Sequence, residues 1–254
     1  MIKHSIISYY IFGTEMRYLQ DVAVGANFDG DGYVSENIER FLENLVKLDL
    51  KVTYRASWKL TNFHSEMNSL NTKNLDHVQA AKLSTIMNEI RMTLDAEIQG
   101  SYAFIATPKR LDSDKLLGDI SSLFSPNIFE NFPDIAKYDF DEAGKCIAFE
   151  RPTAAAFHIL RATEANLRYY YKQMIKQNRV KSEMWGPIIQ DLRKKNKTKV
   201  HTTLNNHLDN IRVSFRNPTQ HPEAIYDIHE VQDLLSVCID ANNRMFKVIA
   251  EQEC

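Results

Sequence analysis

An all-α fold is what this sequence predicts, on three observations. Apolar residues recur at i, i+3, i+4 and i+7 through much of the chain, with no convincing strand between the periodic segments. Residues that cap helices stand ahead of several of those segments, as Ser35, Asp76 and Asp227 do. Gly25, Gly30 and Gly32, and further on Pro108, Pro126 and Pro133, punctuate the intervals between them.

Taken in order, the chain up to Gly32 reads as irregular, with Ile6 to Phe12 a short apolar run expected to be a buried strand or the start of a helix. That run is shorter than a membrane span and is not followed by a small-residue cleavage site, so a cytoplasmic protein without membrane association is expected. Ser35 can cap a helix to about residue 48 that carries Ile38, Phe41, Leu42, Leu45 and Leu48 on one stripe. Lys51 to Tyr54 is too short to assign, and Asn62 to Asn74 reads equally as helix or loop. A long helix follows Asp76 and ends before Gly100.

The prolines then place a domain boundary near residue 130, dividing a mainly helical amino-terminal region, 1–130, from a bundle of four to five helices, 131–254. Its first two helices run from Asp134 to about Phe149 and from Thr153 to about Gln177. The second has Ala154, Phe157, Leu160, Leu167 and Tyr171 as its expected core stripe. Pro187 suits the first turn of a short helix, and Leu204, Leu208, Ile211 and Phe215 trace another. The last helix is capped by Asp227 with Glu230 three residues on, and buries Val231, Leu234, Leu235, Cys238 and Phe246.

With 44% hydrophobic and 25% charged residues the chain can bury a core, which sets it apart from disordered and membrane-spanning sequences. Three cysteines without paired metal-ligand spacing point to a reducing compartment rather than a disulfide or zinc framework. The net charge is only −2, yet residues 161–216 hold thirteen Lys and Arg against four Asp and Glu, and the remainder is correspondingly acidic. Such polarity fits one face meeting a polyanion, and it fits equally a set of solvated helix faces.

The chemistry is expected at Arg216-Asn217-Pro218-Thr219-Gln220-His221. A residue before proline is steered out of the α region, so the preceding helix should end at Arg216 and leave both Arg216 and His221 on a constrained connector between two long helices. The planar fork of an arginine suits phosphate oxygens. A histidine can move the proton of a 2′-hydroxyl or of a leaving 5′-oxygen, and such a pair needs neither metal nor other cofactor.

At these residues the chain resembles the HEPN superfamily, whose motif is an Arg, an adjacent polar residue and a His beyond four to six intervening positions. Here the spacing is four and Asn217 stands at the polar position. Asp141-Glu142-Ala143-Gly144-Lys145-Cys146 and the segment Thr153 to Glu164 look like the first helix pair of uncharacterised bacterial members, so the resemblance spans roughly the last half of the chain. It implies a HEPN-like bundle and a metal-independent endoribonuclease that acts as a homodimer, with two copies of the motif lining one cleft. It also implies a role in toxin systems or antiphage defence, under a regulatory protein or antitoxin. Arg216 and His221 would be catalytic and Asn217 would position substrate, unless it merely caps the helix.

Glu164 and Arg161 share a helical face with His158 and Arg168, and either support Arg216 and phosphate or form a structural ion-pair ladder. Asn27 to Val34 matches the opening of a calcium loop, but Ile38 stands where a bidentate carboxylate is needed. The basic run Arg193 to Lys199 reads as an RNA contact or a solvated loop. The alternative to an enzyme is a catalytically silent module of the same fold that binds RNA, a nucleotide or a protein partner.

Overall fold

The computed structural model describes residues 5–30, 33–102, 106–175, 180, 182–195 and 199–253. Among them the architecture is all-α, with one isolated antiparallel bridge, Asn27 to Asn74. No described helix is long and apolar enough to cross a membrane. Asp31 and Gly32 of the calcium-like loop and residues 196–198 of the basic run lie outside the described residues.

The chain forms two compact units, Met1–Phe104 and Ile105–Cys254. This places the boundary well before residue 130, for a reason visible in the packing. Leu116, Ile120, Phe124 and Ile128, which precede the expected boundary, are all buried in the core of the second unit. Proline frequency marked irregular chain there, but it could not show to which core that chain belongs.

The first unit holds α1 (Ile6–Gln20), α2 (Val34–Lys47), α3 (Lys51–Ala56), α4 (Trp58–Ser69) and α5 (His77–Ile98). Helix α1 replaces the irregular segment expected there. Its buried residues Phe12, Glu15, Met16 and Leu19 follow helical spacing, whereas Ile6, Ile7, Tyr9, Tyr10 and Ile11 of the supposedly buried run are exposed. Apolar residues on both faces masked the period. Phe12 stacks on Phe41 of α2 with ring centroids 5.0 Å apart. The cap of α2 is Tyr33, and Ser35 instead places its hydroxyl 2.8 Å from His64 Nε2. Asp76 caps α5 as expected, and together with Gln79 it closes a reciprocal capping box there.

The second unit begins with α6 (Ser113–Gly118) and two 3₁₀ turns, Ile120–Leu123 and Phe129–Asn131. Then come α7 (Asp134–Ala148), α8 (Pro152–Met174), α9 (Trp185–Lys195), α10 (Lys199–Ile211), a π turn (Arg212–Arg216), α11 (Asn217–Thr219) and α12 (Ile228–Glu253). Helix α8 is the central element, packed along its length by α7 and α12. It buries Ala155, Ala156, Ile159, Leu160, Ala162, Thr163, Asn166, Leu167, Tyr170 and Tyr171, while Ala154 and Phe157 of the expected stripe are exposed. Small residues make up much of the buried face because α7 and α12 approach closely there.

Between α8 and α12 the seam is polar: Asn166 Nδ2 donates to Asn242 Oδ1 at 2.7 Å, and Asn242 Nδ2 donates to Thr163 Oγ1 at 3.2 Å and to the Cys238 carbonyl at 2.7 Å. A buried, directional network of this kind fixes register as well as contact. Trp185 ties α9 to α10 by donating Nε1–H to the Leu208 carbonyl at 3.1 Å. Asp227 and Glu230 cap α12 reciprocally. Leu204, Leu208 and Ile211 are buried on α10, but Phe215 is only partly so, because the wider π turn takes an extra residue and rotates it off the buried face.

Gly144 marks the closest approach in this unit, since a β-carbon there would collide with the backbone carbonyl of Leu116, whereas Gly118 has open space. Gly144→Ala should therefore destabilise the protein by about 1–3 kcal/mol in urea unfolding. Gly118→Ala should change stability by no more than about 0.5 kcal/mol.

Candidate active site

Helix α8 has two jobs. Its buried face carries the core, and the opposite face, with His158, Arg161, Ala165, Arg168 and Lys172 at steps of three and four, forms one wall of a cleft of about 900 Å³. Pro133 and Ile135, at the start of α7, line it too, and Arg216 and Gln220 reach it from the segment after α10. That volume is enough for a nucleotide-sized ligand.

Arg216 gets there by an unexpected local structure. Asn217 is helical, with φ −66° and ψ −51°, so the helix does not stop at Arg216 and the prediction of a non-helical connector at 217 and 218 is corrected. A proline ring collides with the carbonyl four residues back, here Ser214, and leaves that carbonyl without its donor. The chain avoids this by opening into a π turn, in which the Asn217 N–H bonds the Arg212 carbonyl five residues back. The Phe215 carbonyl is taken by the Thr219 hydroxyl at 2.7 Å. The irregular chain begins only beyond α11, where His221 N–H bonds the Pro218 carbonyl at 2.8 Å. Tyr226 anchors the connector, with its hydroxyl 2.6 Å from Thr219 Oγ1 and its N–H donating to Thr153 Oγ1 of α8 at 3.3 Å.

Arg216 donates through Nε and Nη2 to Glu164 Oε2, both at 3.3 Å, while Arg168 Nη2 donates to Glu164 Oε1 at 2.7 Å. One largely buried carboxylate thus serves two guanidinium groups. The pairing leaves local positive charge in excess, and Arg216 holds the longer and weaker bonds. Of the two roles open to Glu164 in the sequence, the structure shows both: it pairs with Arg168 one turn on along α8, as in an ion-pair ladder, and it also meets Arg216. Lys172 pairs with Glu183 at 3.3 Å.

Arg161 points elsewhere, onto Asp139 of α7, which is fully buried. Asp139 Oδ2 accepts from Arg161 Nε at 2.6 Å, Oδ1 accepts from Arg161 Nη2, and Oδ1 also meets His158 Nδ1 at 2.8 Å. The bond to Asp139 raises the pKa of the Arg161 guanidinium. Sequence reasoning missed Asp139, although a signal was present. It falls among Ala136, Phe140, Ala143 and Ile147 on the buried stripe of α7, where a charged residue requires a partner.

His221 is exposed, does not line the cleft, and its side chain has no partner among the described residues. Asn217 is half-buried, stands at the junction where the π turn passes into α11, and is not part of the cleft wall. The structure therefore brings together Arg216, Glu164, Arg161, Arg168 and His158, but leaves His221 of the same chain outside that lining.

Removing Arg161 would strand a buried carboxylate on a single histidine, so Arg161→Met should cost about 3 kcal/mol in urea unfolding. Arg168→Met, which removes an exposed guanidinium and leaves Glu164 still paired with Arg216, should cost no more than about 1 kcal/mol. Comparison of the chain with models of known families, with characterised proteins and with solved structures gives no match.

Proposed function

We propose that this protein is a metal-independent endoribonuclease of HEPN type, in which Arg216 holds a phosphodiester and His221 moves a proton. The observation that carries this reading is the shared carboxylate. Arg216 and Arg168 compete for Glu164 inside a nucleotide-sized cleft, so an incoming phosphate can take Arg216 from its longer bonds and complete its fork. His221, five residues on, stands exposed on an anchored connector.

Because His221 is outside the cleft lining of its own chain, the reading includes a two-fold symmetric dimer, in which a second copy contributes to one composite site. RNA is the substrate class, and control by a regulatory protein or antitoxin in toxin or antiphage systems belongs to the same proposal. The separation of His221 from the cleft is also the observation that favours the second reading, a catalytically silent module that binds RNA, a nucleotide or a protein in the cleft.

Pure protein incubated with RNA in EDTA distinguishes the two. Cleavage to fragments with 2′,3′-cyclic phosphate and 5′-hydroxyl ends supports the enzyme, and intact RNA with measurable binding supports the module. Arg216→Ala and His221→Ala should each slow cleavage by about 10²–10⁴ while His221→Ala leaves the melting temperature nearly unchanged, since it removes an exposed side chain. Light scattering at micromolar concentration should give twice the chain mass. A strictly monomeric protein with full activity removes the composite site.

A further inference from the structure

The cleft contains a histidine that the motif does not include, held as a proton-transfer group would be. Asp139 is fully buried and accepts from the Arg161 guanidinium through both of its oxygens, so toward its neighbours it is placed as an acceptor. The hydrogen between Asp139 Oδ1 and His158 Nδ1, 2.8 Å apart, must therefore come from the histidine. That fixes the tautomer. In the neutral ring Nε2 then carries the lone pair, and His158 lines the same cleft as Arg216.

A carboxylate behind an imidazole orients the ring and stabilises the imidazolium that forms when Nε2 accepts a proton. Charge and placement fit a reacting phosphodiester: Arg161 lies one turn along α8 from His158, and Arg168 and Arg216 lie further along the same cleft. No other described histidine lines this cleft.

We infer that His158, positioned by Asp139, is the general base for RNA cleavage in this cleft, an inference that rests on the ribonuclease reading above. His158 Nε2 takes the proton of the 2′-hydroxyl as that oxygen bonds to phosphorus. The bond from phosphorus to the 5′-oxygen breaks, and the leaving oxygen takes its proton from His221 of the second copy in the composite site. The products are a 2′,3′-cyclic phosphate and a 5′-hydroxyl, with Arg216 holding the non-bridging oxygens throughout. His158 is the catalytic residue of this pair and Asp139 the positioning residue.

The test uses the full chain with a short RNA, and the same oligonucleotide fully 2′-O-methylated as an uncleavable probe for binding. His158→Asn keeps a donor for Asp139 in place of Nδ1–H and removes Nε2. His158→Ala opens a space that free imidazole can fill. His158→Asn should bind the methylated probe as the wild type does and cleave RNA about 10²–10⁴ more slowly. Added imidazole should restore cleavage by His158→Ala at least about tenfold, which a merely structural histidine would not allow. If His158→Asn cleaves at the wild-type rate, His158 is not the base and the ribonuclease reading survives. If wild-type protein binds the probe but cleaves no RNA, the ribonuclease reading falls and the base assignment with it. Weakened probe binding by both variants, with no response to imidazole, overturns the base assignment in favour of a structural role.

Discussion

A carboxylate with no access to water sits in the seam between α7 and α8, and much of the second unit is arranged around it. Asp139 stands on the buried face of α7, where an unpaired charge would cost several kcal/mol. Its partners must come from α8, and they come from one helical turn, His158 and Arg161. Meeting both at once fixes how far α8 slides past α7 and how it is rotated. With that rotation set, Ala155, Ala156, Ile159 and Ala162 face inward and Arg161, Ala165, Arg168 and Lys172 face the cleft. The polar bonds among Thr163, Asn166 and Asn242 impose a matching register on α12.

The second constraint is local. Pro218 forbids an ordinary helical turn, and the chain answers with a π turn rather than a break. The difference matters for the site. A helix stopped at Arg216 would leave that arginine at a fraying end, whereas the π turn continues into α11 and is tied down by Thr219 and Tyr226. Arg216 is thereby presented to Glu164 from a stiff support. His221 follows the last helical residue by two positions and is carried away from the cleft, so the two motif residues serve different surfaces of one chain.

Helices whose signal is local were legible from residues alone. Capping boxes at Asp76 and Asp227 act within a single turn, and the stripe of Val231, Leu234, Leu235 and Cys238 repeats the helical period without interruption. Helix α1 was hidden because its exposed face is as apolar as its buried one. Ala154 and Phe157 are apolar but lie off the core, because the face of α8 that meets α7 and α12 is the one carrying Ala155, Ala156, Ile159 and Ala162. The pairing of Glu164 with Arg216 could be anticipated as one option among neighbours on a helix face. Asp139 could have been noticed as a charge on an apolar stripe, but its partners lie on another helix.

The sequence by itself determined that the chain is helical, where several of its longer helices start, and that Arg216, Asn217 and His221 stand near Pro218 between two long helices, because caps, periods and proline geometry act over a few residues. Only tertiary structure decided where the two units divide, that Asn217 and Pro218 are helical, that Arg216 shares a carboxylate with Arg168, and that His158 rather than His221 lines the cleft beside it. Each of those outcomes depends on which faces of distant helices are buried against one another. Burial of a face is a property of the packed unit, and it sets both the environment of a charge and the direction in which a side chain can reach.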